Sequence, residues 1–262
     1  MNINTKKYIE EYIKIRDKES NIIQLKLNST QLKCYNIIKK KKKEGKPVRI
    51  IILKARQLGF STLIEAVLFK ETATKSNINT GIVAHEEKST TNLFNMSKLM
   101  YIELPEALKP AIKNSNAKEL VFNNKQGTGL NSRIKCMTAG GESIGRSDTI
   151  NNLHLSEFAF WTGDKKETLT GLLQAVPNNP KTIVTIESTA NGFEYFKELW
   201  DMAVAGKNDY IPLFVGWNEL EEYQMQYNGF ELTEEELKLQ RMYNLSLEQL
   251  SWRRWCIANN CR

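Results

Sequence analysis

The sequence predicts an α/β fold: a mostly parallel sheet with flanking helices, followed by a small C-terminal lid subdomain. Three observations carry this. VRIIIL at 48–53 is a short apolar run, interrupted only by Arg49, between Pro47 and a polar turn, as in a strand buried on both faces. Comparable runs recur with helical stretches between them, the alternation that builds parallel sheets. A length of 262 residues with 41% hydrophobic and 26% charged side chains is enough to bury a core and excludes wholesale disorder.

The elements follow in order. Tyr8, Ile9, Tyr12, Ile13 and Ile15 recur at helical spacing among charges and predict a helical arm within 1–28. A second helix is expected over 31–43, after the cap candidates Ser29 and Thr30 and before Gly45 and Pro47. Beyond the strand at 48–53, STLIEAVLFKETATK places Leu63, Ile64, Val67 and Leu68 on one helix face. Further strands are expected at 79–85, 133–139, 151–156 and 181–188, with helices at 89–102 and 168–175. These make a core domain over 29–195. From 196 to 262 a lid or linker subdomain is expected: one more strand at 210–217, then the acidic helical stretches TEEELKLQRMY and SLEQLSWRRWCIANN. The end at Asn260-Cys261-Arg262 closes no element, as expected of a piece of a longer chain.

Composition excludes several classes. The longest aliphatic run, 50–53, falls far short of the ~20 residues of a membrane helix. The N-terminus lacks the apolar core of a secretory signal, so a protein that is not secreted and meets no membrane is expected. Cys34, Cys136, Cys256 and Cys261 form no C-x-x-C and read as reduced thiols, and His85 and His154 are too few for a histidine metal cluster. The net charge of +7 is uneven: residues 1–60 carry 16 basic against 5 acidic side chains, residues 194–262 carry 7 against 12. An anionic partner fits this polarity, of no particular kind. The lysines at 39–43 either grip nucleic-acid phosphates or complement the dipole at a helix end.

Five features carry chemistry. IIILKARQLGFST at 50–62 reads as strand, loop and helix start, the arrangement whose backbone N–H groups cradle phosphates. Against the phosphate-loop pattern G-x-x-x-x-G-K-[ST], Lys54 replaces the first glycine and Phe60 the lysine, followed by Ser61. The phosphate cation must then come from Lys54 or Arg56; the alternative is an ordinary turn with surface basic residues. NNLHLSEFAFW at 151–161 ends a strand on Ser156-Glu157, where such enzymes place an Asp-Glu pair for Mg²⁺ and the attacking water. Glu157 fits the water-orienting base, or else a helix-start carboxylate. IESTANGF at 186–193 runs a strand into Ser188, Thr189 and Asn191, either a γ-phosphate sensor or a simple turn closed by Gly192. Arg146, on the Gly-rich GGESIGRSDT, is an arginine-finger candidate or a surface guanidinium. Gln31 carries an amide able to pair with an adenine edge.

Taken in order, Gln31, the deviant loop, Arg146, Ser156-Glu157 and Ser188-Thr189-Ala190-Asn191-Gly192 resemble the N-terminal ATPase domain of the large terminase subunit of tailed bacteriophages, across roughly 25–195. The tail SLEQLSWRRW is similar to the end of that family's lid subdomain. The resemblance implies a P-loop NTPase fold of the ASCE/RecA-like kind. It implies that Lys54, Ala55, Arg56, Gln57, Leu58, Gly59, Phe60, Ser61 and Thr62 wrap the triphosphate of ATP, with Gln31 at the adenine. By the same resemblance Ser61, and through water Ser156, hold Mg²⁺; Arg56 contacts the γ-phosphate; Glu157 activates water; Arg146 acts on a neighbouring subunit's ATP; and Ser188, Thr189 and Asn191 couple hydrolysis to movement. Two departures stand out: Phe60 where many members have Lys, and Ser156 where others have Asp.

Its implied setting is a virus-encoded motor in the host cytoplasm, a homo-oligomeric ring, expected as a pentamer, on the portal protein of a procapsid. Double-stranded DNA and the small terminase subunit are the other implied partners. The family's nuclease domain would follow Arg262, so no DNA cleavage is expected of these 262 residues. Two other classes fit parts of the pattern: a superfamily 2-like helicase or translocase, and a nucleotide-independent DNA-binding scaffold with a decayed loop.

Overall fold

The computed structural model describes residues 3–124, 126–140 and 149–259, which fall into two compact units divided between Phe214 and Val215. In the first unit, α1 (Thr5–Tyr12) is capped by Asn4. The helix stops three residues short of the Ile15 that the periodicity includes. Ile13 is extended (φ −88°, ψ 122°), and β1 (Lys14–Arg16) pairs antiparallel with β2 (Ile22–Gln24). Asp17 drives the reversal, since its Oδ1 accepts from the backbone N–H groups of Glu19 and Asn21 at 2.9 and 2.8 Å. Next, α2 (Ser29–Lys43) is capped by Asn28, one residue before the expected candidates, in a capping box with Gln31.

The sheet comprises β3 (Val48–Lys54), β4 (Asn79–Ala84), β5 (Ile112–Ser115), β6 (Glu119–Phe122), β7 (Ser132–Thr138), β8 (Asn152–Ser156), β9 (Ile183–Ser188) and β10 (Ile211–Val215). Their spatial order is β10-β3-β9-β8-β4-β7-β6-β5. The pairs β3·β9, β9·β8, β8·β4 and β4·β7 are parallel, whereas β7·β6 and β6·β5 are antiparallel. The antiparallel extension has no clear trace in the sequence, because β5 reads IKNS and is mostly exposed. In contrast β8 and β9 are buried at every residue, which is why they are legible as short apolar runs.

Helices cover both faces. α3 (Phe60–Thr74) is buried from Leu63 to Ala73, all round its surface, and packs on α4 (Glu87–Ile102) and on β7, β8 and β9. The opposite face packs Ile51, Val83, Leu153, Leu155, Val184 and Ile186 against Leu169 and Leu172 of α5 (Lys165–Gln174) and Phe196 and Leu199 of α6 (Tyr195–Val204). The lysine run ends α2, and Lys42 Nζ lies 2.6 Å from the buried Glu71 carboxylate of α3.

The second unit contains α7 (Glu234–Tyr243) and α8 (Leu247–Asn259). Thr233 and Glu236 form a capping box at the start of α7. The Arg254 guanidinium grips Glu236 through two 2.6 Å hydrogen bonds and stacks 3.7 Å from the centre of the Phe230 ring. Trp252 packs between Trp217 and Tyr223. No helix among the described residues is long and apolar enough to cross a membrane.

Candidate functional site

The site forms where β3, β8 and β9 end, the crevice in which open parallel sheets hold ligands. β9 lies between the loop-bearing β3 and the acid-bearing β8, so its residues face both. Parallel register sets Ile52, Glu187 and Ser156 side by side, and Ile50, Thr185 and His154 one pleat earlier. Because side chains alternate, Lys54, Glu187, Ser156 and His154 share the face beneath α3. Two residues along a strand advance ~6.6 Å and four along a helix ~6 Å, so Ser61 and Glu65 of α3 match the strand spacing. Accordingly Ser61 Oγ donates to Glu187 Oε1 at 2.6 Å, while Glu65 Oε1 lies 2.6 Å from His154 Nδ1.

Glu187 is the hub, and no local motif in the sequence marks it out from the strand that carries it. It is fully buried, yet Ser61 and Ser156 both donate to its Oε1 (2.6 and 2.9 Å), His154 Nε2 stands 3.3 Å away, and Lys54 Nζ is an ion pair at 3.0 Å from Oε2. That Lys54 contact is ionic and lacks good hydrogen-bond alignment. Burial alone would raise the pKa of Glu187. The His154 hydrogen bond and the charges of Lys54 and His154 outweigh burial and hold it well below the usual carboxylate range. Burial likewise opposes charging His154, but hydrogen bonds to Glu187 and Glu65 push its pKa up to about 9. Lys54 follows the same logic: burial lowers its pKa, the charges of Glu187 and Glu157 raise it, and the net direction is up. The ammonium therefore keeps its charge in a nearly closed position, its side chain only 6% exposed. The only sequence signal for Glu187 was an acid inside an apolar strand, IVTIES.

The loop between β3 and α3 needs its glycine on two counts. Gly59 adopts φ +74°, and a Cβ there would meet Gln31 Nε2 at 2.7 Å. Gln57 also takes a left-handed conformation, at φ 56°. Gln31 braces this loop: its Nε2 donates to the Gly59 carbonyl at 2.7 Å while its Oε1 accepts from Asn28 N at 3.0 Å. Its amide is thus engaged by the loop and the α2 cap. Arg56 and Gln57 are exposed, whereas the side chains of Leu58 and Phe60 are buried at 1% exposure, so these two offer the site only backbone. Ala55 and Thr62 are half-buried along the loop and the first turn of α3.

Glu157 leaves β8 in a left-handed conformation (φ 49°, ψ 45°), which costs a side-chain-bearing residue ~1–2 kcal/mol. The turn swings its carboxylate toward Lys54 Nζ at 3.0 Å and toward the backbone N–H and hydroxyl of Thr189 at 3.3 and 3.5 Å. Ser188 Oγ accepts from Ala159 N, and Asn191 Nδ2 donates to Ala159 O, both at 3.1 Å. The Ser188–Asn191 segment thereby grips the turn that carries Glu157. A cavity of about 350 Å³ opens between Lys54, Arg56, Gln57, Glu157, Phe160, Thr189 and His85. Arg146 lies outside the described residues.

The donor set suits a hard cation of the Mg²⁺ type. It offers the Ser61 hydroxyl, with Glu157 at the cavity and the Glu187 carboxylate behind. Among the described residues no group of three or more His, Cys, Asp or Glu could cage a metal by itself.

No family model matches the sequence. In structure the chain is similar to the HK97 bacteriophage large terminase, with TM-score 0.62 and 16% identity over 92% of this chain and 50% of that one. The ATPase domain of the Thermus phage P74-26 large terminase matches with TM-score 0.56 and 16% identity, covering 87% of this chain and 91% of that domain. The large terminase of a thermophilic bacteriophage, in complex with ADP, matches with TM-score 0.50 and 14% identity over 83% of this chain and 50% of that one. The chain spans about half the length of the HK97 protein and of the ADP-bound one. Its mostly parallel sheet with flanking helices has the fold of phage large-terminase ATPase domains.

Proposed function

We propose that the chain is the ATPase motor domain of a phage DNA-packaging terminase, hydrolysing Mg-ATP to drive double-stranded DNA into a procapsid. The observation that carries this is Lys54, whose ammonium stands 3.0 Å from both Glu157 and Glu187 beside the loop and the cavity. A cation so placed supplies the charge that Phe60 cannot, which speaks against a decayed loop. Incoming phosphate competes with Glu157 for Lys54 and frees the carboxylate to orient and deprotonate the attacking water. Arg56 adds charge from the exposed side of the cavity, and the N–H groups at the start of α3 receive phosphate oxygens. Ser61, with Glu157 at the cavity and Glu187 behind, would hold Mg²⁺, which would supply neutralisation of the charge developing at the phosphates. Thr189, touching Glu157, and Asn191, holding the turn beyond it, pass the change at the γ-phosphate to the rest of the chain.

Packaging itself requires partners: DNA, the portal protein, the small terminase subunit and further copies in a ring, with Arg146 reaching a neighbour's ATP. An arginine supplied in trans is worth ~10³–10⁵ in rate, so a dilute monomer is a slow ATPase. The test measures nucleotide affinity and steady-state hydrolysis for the wild type, Lys54→Ala and Glu157→Gln. Glu157→Gln is expected to bind Mg-ATP and lose turnover; Lys54→Ala is expected to lose affinity. A wild type without nucleotide affinity overturns the reading in favour of a scaffold.

A further inference from the structure

We infer that Glu187 does, from the neighbouring strand, the work expected of an acid at position 156: it is the positioning carboxylate that orients Ser61 toward the divalent cation of the nucleotide. This rests on the nucleotide reading above. Ser156 and Glu187 are register partners in adjacent parallel strands, ~4.8 Å apart. The longer glutamate side chain crosses that spacing and ends within hydrogen-bond distance of the loop helix, where Ser61 Oγ donates to it at 2.6 Å. A hydroxyl whose proton is committed to a carboxylate keeps its lone pairs for a cation. Ser156 cannot substitute, because its own hydroxyl is a second donor to the same Glu187 oxygen at 2.9 Å.

The arrangement also explains why position 156 is not acidic. An aspartate there would set two carboxylates side by side in a buried site, and one would be forced toward protonation. A serine instead satisfies the buried Glu187 oxygen. The Lys54 ammonium and the His154 ring stand 3.0 and 3.3 Å from its two oxygens. The carboxylate has thus moved by one strand, with the donors around it rearranged to match.

Three proteins separate this inference from its alternatives: the wild type, Glu187→Gln, and Glu187→Gln combined with Ser156→Asp. The readout is the affinity for a fluorescent ATP analogue in magnesium chloride divided by that in EDTA, with folding checked by circular dichroism. Losing a group that orients a metal ligand typically costs ~10–100-fold in metal affinity, so the ratio should fall by that order in Glu187→Gln. The double variant, with a carboxylate back at 156, should recover it, which a merely structural role for Glu187 does not predict. An unchanged ratio in Glu187→Gln, or a folded double variant that stays at the single-variant ratio, overturns the inference. Where Glu187→Gln does not fold, Glu187→Asp keeps the charge for Lys54 and His154 but draws the carboxylate back by one methylene. Its ratio should also fall, and an unchanged one is equally fatal. A wild type that binds no nucleotide overturns the nucleotide reading itself, whereas magnesium-dependent binding indifferent to Glu187 removes only this inference.

Discussion

Lys54 and Glu157, 103 positions apart in the chain, meet at 3.0 Å across the mouth of the cavity. The contact exists because Glu157 accepts a left-handed backbone at the end of β8, which aims its carboxylate toward β3.

That strain is measurable. Glu157→Gly and Glu157→Ala both remove the carboxylate, but only glycine relieves φ 49°. The glycine variant should be the more stable of the two by ~1 kcal/mol in urea denaturation, with hydrolysis lost in both. Equal stabilities would show that no strain is stored at this position.

Gly59 and Gly163 offer a matched pair, since both sit at φ +74°. A Cβ at Gly163 meets nothing within 4 Å, whereas at Gly59 it meets Gln31 Nε2 at 2.7 Å. Gly163→Ala should cost only the left-handed penalty, ~1 kcal/mol. Gly59→Ala should cost clearly more and also weaken nucleotide binding, because the Gln31 brace must move. Comparable costs at the two sites, read from denaturation curves, would remove the brace from the account.

Restoring the lysine of the common phosphate-loop pattern should fail here. Phe60 is 1% exposed, so Phe60→Lys removes a core ring and buries an ammonium with no partner. A loss of ~3–5 kcal/mol is expected, with no gain in affinity for ATP. A stable Phe60→Lys protein that binds ATP more tightly would return the phosphate cation to position 60.

Acid should loosen the junction of α2 and α3. The Glu71 carboxyl is held down at about 2, burial opposing and the charges of Lys42 and Lys75 prevailing. A carboxylate whose folded pKa is depressed stabilises above its unfolded value of ~4.3 and loses that contribution as pH falls toward the folded one. Glu71→Gln should therefore lower stability at pH 7 by ~2–3 kcal/mol and much less near pH ~2–3, flattening the pH profile. A constant gap between the two proteins across that range contradicts this assignment.

The site was partly legible in the sequence. Lys54, Ser61, Glu157 and Thr189 could be named from short motifs because each lies at, or within a few residues of, a strand end or helix start that the local sequence marks. The two helices around the loop were legible from periodicity and breakers, though Asn28 rather than Ser29 or Thr30 turned out to be the cap. The hairpin at Asp17 carries no periodic signal, because one Asx turn there outweighs the helical spacing of Ile15. β5 escaped because a polar edge strand carries no apolar signal.

By itself the sequence determined the alternation of strands and helices and the class of fold, since short apolar runs and helical periodicity are local properties of the chain. It also determined that the usual lysine is missing at Phe60 and the usual acid at Ser156. What replaces them was decided only by tertiary structure. Placing β9 between β3 and β8 brings Glu187 against Ser61, Ser156, His154 and Lys54, residues contributed by neighbouring strands and the loop helix. A buried carboxylate is stable only where donors and cations converge on it, and that convergence is a matter of register and packing, invisible to any local motif.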